Sequence, residues 1–348
     1  MPRHRAPRRL RLLALLPLAS VLGAAAAGAP SGLQPEVVFT DYTPLAGSAE
    51  LMRRLLSPLA AAEAQRELER SHQQLVAQSI DLASEKFLLY VPPHEGAHGY
   101  GVLAFVPPWD DARLPRGWAA VLDRYGLIFV SAARSGNDAD VIGRREPLAL
   151  LGAWNVMRRY PVDAGRVYVG GFSGGARIAL RLALGYPDLF RGALLDAGSD
   201  PIGAGGPPLP PPRELLWRFQ ESTRLVYLTG ERDTLHLSMD SASLESMREW
   251  CVFDVVADTI PGAAHELAGP AALVRSLAAL ARPVAPDPGR LAACRARIER
   301  QLAAQLAGVR SLAGAGRHAE AQRLLGELDR HFGGLAAPRS LELEAALE

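Results

Sequence analysis

The run Gly171-Phe172-Ser173-Gly174-Gly175 constrains the fold of this chain more than any other feature. A G-x-S-x-G pattern alone says little in a chain with 33 glycines. Its flanks make it specific: residues 166–170 read as a buried strand and residues 174–184 as a helix. A strand that turns into a helix within one residue forces the serine into a strained backbone conformation. It also leaves no room for side chains two positions to either side. Such a turn lifts the Ser173 hydroxyl off the sheet edge. It aims the Gly174 N–H into the same space, at a helix N-terminus that favours developing negative charge.

The surrounding pattern agrees. Short apolar runs at 87–91, 101–106, 126–131, 167–170, 191–195, 224–228 and 252–260 read as strands. Helical patterns lie between or after them at 118–124, 141–160, 241–250 and 268–281. Strands alternating with helices imply βαβ units, a largely parallel sheet and helices on both faces. Residues 202–212 are rich in Gly and Pro and predict an irregular segment over the carboxyl edge of the sheet. Outside this block, a short strand is expected at Val37-Val38-Phe39. A helical pattern spans 49–74, broken near Pro58. After the prolines at 283, 286 and 288, helices are expected at 291–312, 318–331 and 340–347. The stretch 315–321 resembles part of one tetratricopeptide-type unit, although a helical hairpin packed on the main domain is the simpler reading.

Five arginines occupy the first eleven residues and lead into an apolar run over 12–29 that ends Ala27-Gly28-Ala29. A basic start, an apolar middle and a small-residue end read as a secretory signal peptide cleaved after Ala27 or Ala29, with an uncleaved anchor helix as the alternative. No second apolar stretch is long enough to span a membrane, so no stable span is expected after signal removal. Setting those arginines apart leaves 33 of the 38 basic residues against 37 acidic ones, a net of about −4. This balance gives no electrostatic reason to bind nucleic acid. The only two cysteines are Cys251 and Cys294. In an exported protein they could join as a disulfide tying the main domain to the C-terminal helices; two separate buried thiols is an equal alternative.

A serine hydroxyl is a poor nucleophile until a base takes its proton. His265, in the small-residue loop 261–264 after the last strand, is the candidate base; His236 is its rival. Asp233, directly after the strand 224–230, is the candidate that orients the imidazole, with Asp196, Asp200 and Glu231 as rivals. The second donor to an oxyanion, beside Gly174, is expected from the loop after 101–106. That loop reads Pro107-Pro108-Trp109-Asp110. Proline has no N–H, so the Trp109 amide is the candidate.

The motifs 171–175, Thr229-Gly230-Glu231-Arg232-Asp233 and Pro261-Gly262-Ala263-Ala264-His265 resemble those of the α/β-hydrolase superfamily. The nearest likeness is to the secreted esterases that include polyhydroxybutyrate depolymerases and feruloyl or acetylxylan esterases. The resemblance covers about 84–282. It implies an α/β-hydrolase fold over 80–283; the patterns read above place around it a signal peptide (1–29), an N-terminal helical extension (30–79) and a C-terminal helical region (284–348, partly tetratricopeptide-like). The resemblance further implies a serine esterase working through an acyl-enzyme on a small or polymer-derived ester, and the leader over 1–29 makes it an exported, periplasmic or secreted one. No metal or organic cofactor is required. Many relatives carry His-Gly where this chain has Pro107-Pro108. A catalytically silent exported binding protein, with the C-terminal helices as a partner surface, is therefore one alternative. A serine peptidase is another, though no propeller-like region accompanies it.

Overall fold

The structure is a computed structural model describing residues 30–347; the signal-peptide reading of 1–29 lies outside the described residues. Eight strands form one sheet: β1 (Gly32–Val37), β2 (Phe87–Val91), β3 (Tyr100–Val106), β4 (Leu127–Ala132), β5 (Val162–Phe172), β6 (Gly192–Asp196), β7 (Arg224–Gly230) and β8 (Val255–Ile260). Their order across the sheet is β1-β2-β4-β3-β5-β6-β7-β8. β2 runs antiparallel to both β1 and β4, and every pairing from β4 to β8 is parallel. The central strands are apolar on both faces, as Val102–Val106 and Leu127–Val130 show, because helices cover both sides of a parallel sheet.

Eleven α-helices are described: α1 (Ser48–Leu55), α2 (Pro58–Arg70), α3 (Trp118–Tyr125), α4 (Glu146–Arg159), α5 (Gly174–Gly185), α6 (Arg213–Ser222), α7 (Thr234–Glu249), α8 (Pro270–Leu280), α9 (Pro288–Gly314), α10 (His318–Phe332) and α11 (Arg339–Leu347). α3 and α8 cover one face of the sheet, through Trp118, Leu122, Leu273 and Leu277. α4 and α5 cover the other face, and the apolar core there runs on into the helices at both ends of the described residues.

The predicted break at Pro58 separates α1 from α2, where Ser57 caps the second helix through its hydroxyl. Leu51 and Leu55 of α1 are buried in the main core. Arg54 is buried beside them. Its guanidinium bonds Asp188 at 2.6 Å and the Gly185 carbonyl at 3.1 Å, at the far end of α5. At the other end of the chain, α9 and α10 form an antiparallel hairpin. Ile298, Leu302, Leu306 and Val309 recur every three or four residues and meet Ala321, Leu325 and Leu328. Arg295 of α9 anchors the hairpin to the Trp217 carbonyl and Glu221 of α6. Cys251 and Cys294 are joined as a disulfide, with their Cα atoms 5.8 Å apart.

Several elements depart from the sequence reading, β5 among them, which starts at Val162 rather than near 166. β1 covers Gly32–Val37 and stops where the expected strand would begin. β8 starts at Val255, not at 252, because Cys251 has φ 61° and the Val252 amide closes back on the Met247 carbonyl. α6 fills a segment left unassigned, starting directly after the prolines at 210–212. α7 begins at Thr234 rather than near 241. Its inward face hides this start, because it carries Asp240, Ser243 and Ser246 while Leu235 points to solvent. Those polar groups are satisfied: Asp240 accepts from the Ser199 and Thr229 hydroxyls, and Ser243 meets the Tyr227 hydroxyl.

Candidate active site

The site is assembled at the carboxyl ends of β5, β7 and β8. Ser173 sits between β5 and α5 at φ 54° and ψ −123°, a sparsely populated conformation for a non-glycine residue. Its own N–H donates to the Asp196 carbonyl at 2.8 Å, which fixes the turn. The glycines two residues away are required by contact. A Cβ on Gly175 would strike the Val106 carbonyl, and one on Gly171 would strike the Gly175 backbone.

His265 lies in the loop between β8 and α8, with Nε2 3.0 Å from Ser173 Oγ. Its Nδ1 is 2.6 Å from Oδ2 of Asp233, which follows β7 and caps α7. Asp233 is 7% exposed while the His265 side chain is 39% exposed, so a sheltered carboxylate holds a half-open imidazole. Burial pushes the Asp233 carboxyl up, but hydrogen bonds from His236 and His265 outweigh it and hold the group below the usual range. Nδ1 of His265 facing a carboxylate leaves Nε2 as the acceptor toward the serine hydroxyl.

The structure thus brings Ser173, Asp233 and His265 together and turns the rival acids elsewhere. Asp200 pairs with Arg177 at 3.0 Å, and Glu231 accepts the Gly262 N–H at 2.7 Å. Asp196 is fully buried and accepts the Ala268 N–H at 2.8 Å. Its other oxygen has no hydrogen-bond partner among the described residues. Burial pushes its carboxyl up to about 8, partly opposed by the Ala268 amide and reinforced by the charge of Asp240.

Asp196 therefore holds a proton in the folded protein that the unfolded chain releases above about pH 4, so its contribution to stability is lost as pH rises toward 8. Asp196→Asn keeps an acceptor for the Ala268 amide and removes the titration. The variant is expected to gain stability relative to the parent as pH goes from 4 to 8. The gain should then level off, at no more than the roughly 1.4 kcal/mol per pH unit that linkage permits. Urea unfolding at pH 5 and pH 8 checks this; a stability difference that is the same at both would refute it.

Gly174 opens α5, and Trp109 lies in the loop after β3. The Trp109 ring packs 6.1 Å from Phe172, with the Arg113 guanidinium 4.1 Å over its face. Two residues that the sequence reading passed over, and one that it held only as a rival base, shape this edge. Asn137, in the loop after β4, places its side-chain amide against the Gly174 Cα, and its own N–H donates to the Pro108 carbonyl at 3.1 Å. Arg145 ends a π-turn (Val141–Arg145) and is 3% exposed. Its guanidinium donates to the Pro107 and Ser135 carbonyls, each at 2.9 Å, so one buried cation clasps the loops after β3 and β4 from behind. The third is His236, which shares the Asp233 carboxylate with His265. Nothing in the sequence marks Arg145, because an arginine within a helical pattern reads as surface charge.

A mostly parallel sheet in this strand order, with a strained serine turn after β5, an acid after β7 and a histidine after β8, is an α/β-hydrolase fold. No family model matches the chain, and no curated protein does. Among solved structures, the S-formylglutathione hydrolase of Staphylococcus aureus is similar over 57% of this chain and 93% of its own, at 12% identity and a TM-score of 0.43. The poly(3-hydroxybutyrate) depolymerase of Bordetella parapertussis is similar over 60% of this chain and 88% of its own, at 17% identity and a TM-score of 0.41. Porphyromonas gingivalis dipeptidyl peptidase 4 is similar over 56% of this chain, at 14% identity and a TM-score of 0.40; the match spans only 33% of that longer protein.

Proposed function

We propose that this protein is an exported serine esterase that cleaves carboxylic esters through an acyl-enzyme. The observation that carries the reading is the hydrogen-bonded chain from Asp233 Oδ2 through His265 to Ser173 Oγ, at 2.6 and 3.0 Å, on a strained turn at a helix N-terminus. His265 Nε2 takes the serine proton as Oγ attacks the ester carbonyl, and Asp233 stabilises the imidazolium that forms. The Gly174 and Trp109 amides hold the oxyanion, with Arg145 fixing the Trp109 loop. His265 then passes its proton to the leaving alcohol, and water, activated by the same imidazole, releases the acid. The basic and apolar leader over 1–29 supports export. No helix among the described residues is long and apolar enough to cross a membrane.

Hydrolysis of p-nitrophenyl acetate, butyrate and octanoate by the purified protein, with fluorophosphonate labelling beside it, tests the reading. Turnover of at least one ester and stoichiometric labelling are expected, and the chain-length profile reads the size of the acyl pocket. A folded protein that neither turns over an ester nor takes the label would overturn the proposal.

A further inference from the structure

His265 is a half-exposed ring on a loop of small residues, yet its plane is fixed on both sides. Phe172 stacks on one face, with ring centroids 5.0 Å apart and planes inclined by 27°. His236 stacks on the other, at 4.2 Å and 12°. His236 comes from the first turn of α7, immediately beyond Asp233. Its Nδ1 lies 2.8 Å from Asp233 Oδ1, the oxygen that His265 leaves free. The His236 backbone N–H reaches the same oxygen only at 3.4 Å, so the ring supplies the stronger of these two bonds. One carboxylate thus receives two parallel imidazoles, one on each oxygen.

We propose that His236 is a positioning residue for the catalytic base: it locks the Asp233 carboxylate by its hydrogen bond and the His265 ring by its stack. The inference rests on the esterase reading above. During acylation the imidazole must accept a proton from Ser173 and deliver it to the leaving alcohol without tilting. A ring held between two parallel faces moves within its own plane, which is the motion this transfer needs. A carboxylate with both oxygens engaged keeps Oδ2 directed at Nδ1 of His265.

Three substitutions separate the two contacts. His236→Ala removes both, His236→Asn restores a donor to Asp233 without the stack, and His236→Phe restores the stack without the donor. His236→Ala is expected to lower kcat on p-nitrophenyl acetate by up to about 10²-fold with little change in KM, as a slightly misplaced base does. Asn and Phe should each recover part of the loss, with all three variants folded by melting temperature. Full kcat in His236→Ala overturns the proposal. So does an equal loss in all three variants that tracks a fall in melting temperature, since that marks mere packing. Wild-type inactivity toward esters and fluorophosphonate would instead count against the esterase reading. In that case proton NMR of the ring N–H groups still decides the positioning. Two strongly hydrogen-bonded Nδ1 protons are expected in the wild type, and the His265 signal should broaden in His236→Ala. An unchanged His265 signal there would sink the proposal without reference to activity.

Discussion

Ser173→Ala is expected to lower kcat for p-nitrophenyl acetate by about 10⁴-fold or more and to abolish fluorophosphonate labelling, leaving the fold intact. The hydroxyl is the only atom lost, and the turn that carries it is held by the backbone: the Ser173 N–H on Asp196 and the glycines at 171 and 175. Alanine tolerates φ 54° no better than serine, so the strain is unchanged and stability should move little. The same geometry sets a second expectation. Because Ser173, His265 and Asp233 act through one continuous hydrogen-bonded chain, their losses overlap. The double variant Ser173→Ala/His265→Ala should fall hardly below Ser173→Ala alone. Additive losses would mean that the two residues act independently and that the relay is not the working unit. The residual rate of both variants reports what the Gly174 and Trp109 amides contribute by themselves.

Cys294→Ala is expected to cost about 4 kcal/mol of unfolding free energy at most. The disulfide closes a loop across a sequence separation of 43, and constraining the unfolded chain to that extent is worth about that much in the chain-entropy description. The effect should appear as a lower urea midpoint in the full chain, and reduced wild-type protein should fall on the same curve. The esterase rate without denaturant should stay near the wild-type value. The bridge joins the end of α7 to the start of α9, whereas Ser173 and His265 sit on other elements and Asp233 caps the opposite end of α7. Coincident urea curves for the variant and the oxidised parent would show that α9 is held by its other contacts alone. Those include Arg295 on the Trp217 carbonyl and Glu221, the Arg213–Glu299 pair, and the buried row of Leu302, Leu306 and Val309.

The sheet and the serine turn were legible in the sequence because each rests on a local rule. Strands buried on both faces read as unbroken apolar runs, and a strand-to-helix reversal in one residue demands glycine at fixed places. The order serine, aspartate, histidine along the chain was equally legible, and the structure sets those three side chains within hydrogen-bond reach. The start of α7 was hidden because its buried face is polar, with Asp240, Ser243 and Ser246 paired to residues on neighbouring elements. His236 stood in the sequence as a competitor of His265 for one role. Only the arrangement in space shows two rings on one carboxylate, since a stack depends on where a helix and a distant loop meet. Arg145 escaped for the same reason: its acceptors, Pro107 and Ser135, are backbone carbonyls, and no pattern of side chains announces them.

The way the two ends of the described residues enter the main core bears on how the protein can be handled in the laboratory. Leu51 and Leu55 on one side of the sheet domain in sequence, and Leu302, Leu306 and Leu325 on the other, belong to the same buried cluster as Val169 of β5 and Leu182 of α5, the two elements that the serine turn joins. Trimming to the segment 80–283, the natural choice for a minimal domain, would strip α1 from Gly185 and Asp188 and leave Cys251 without Cys294. The bared apolar surface would favour self-association over a smaller working catalyst. Expression plasmids and fusion joints are better placed to keep α1 through α11 together.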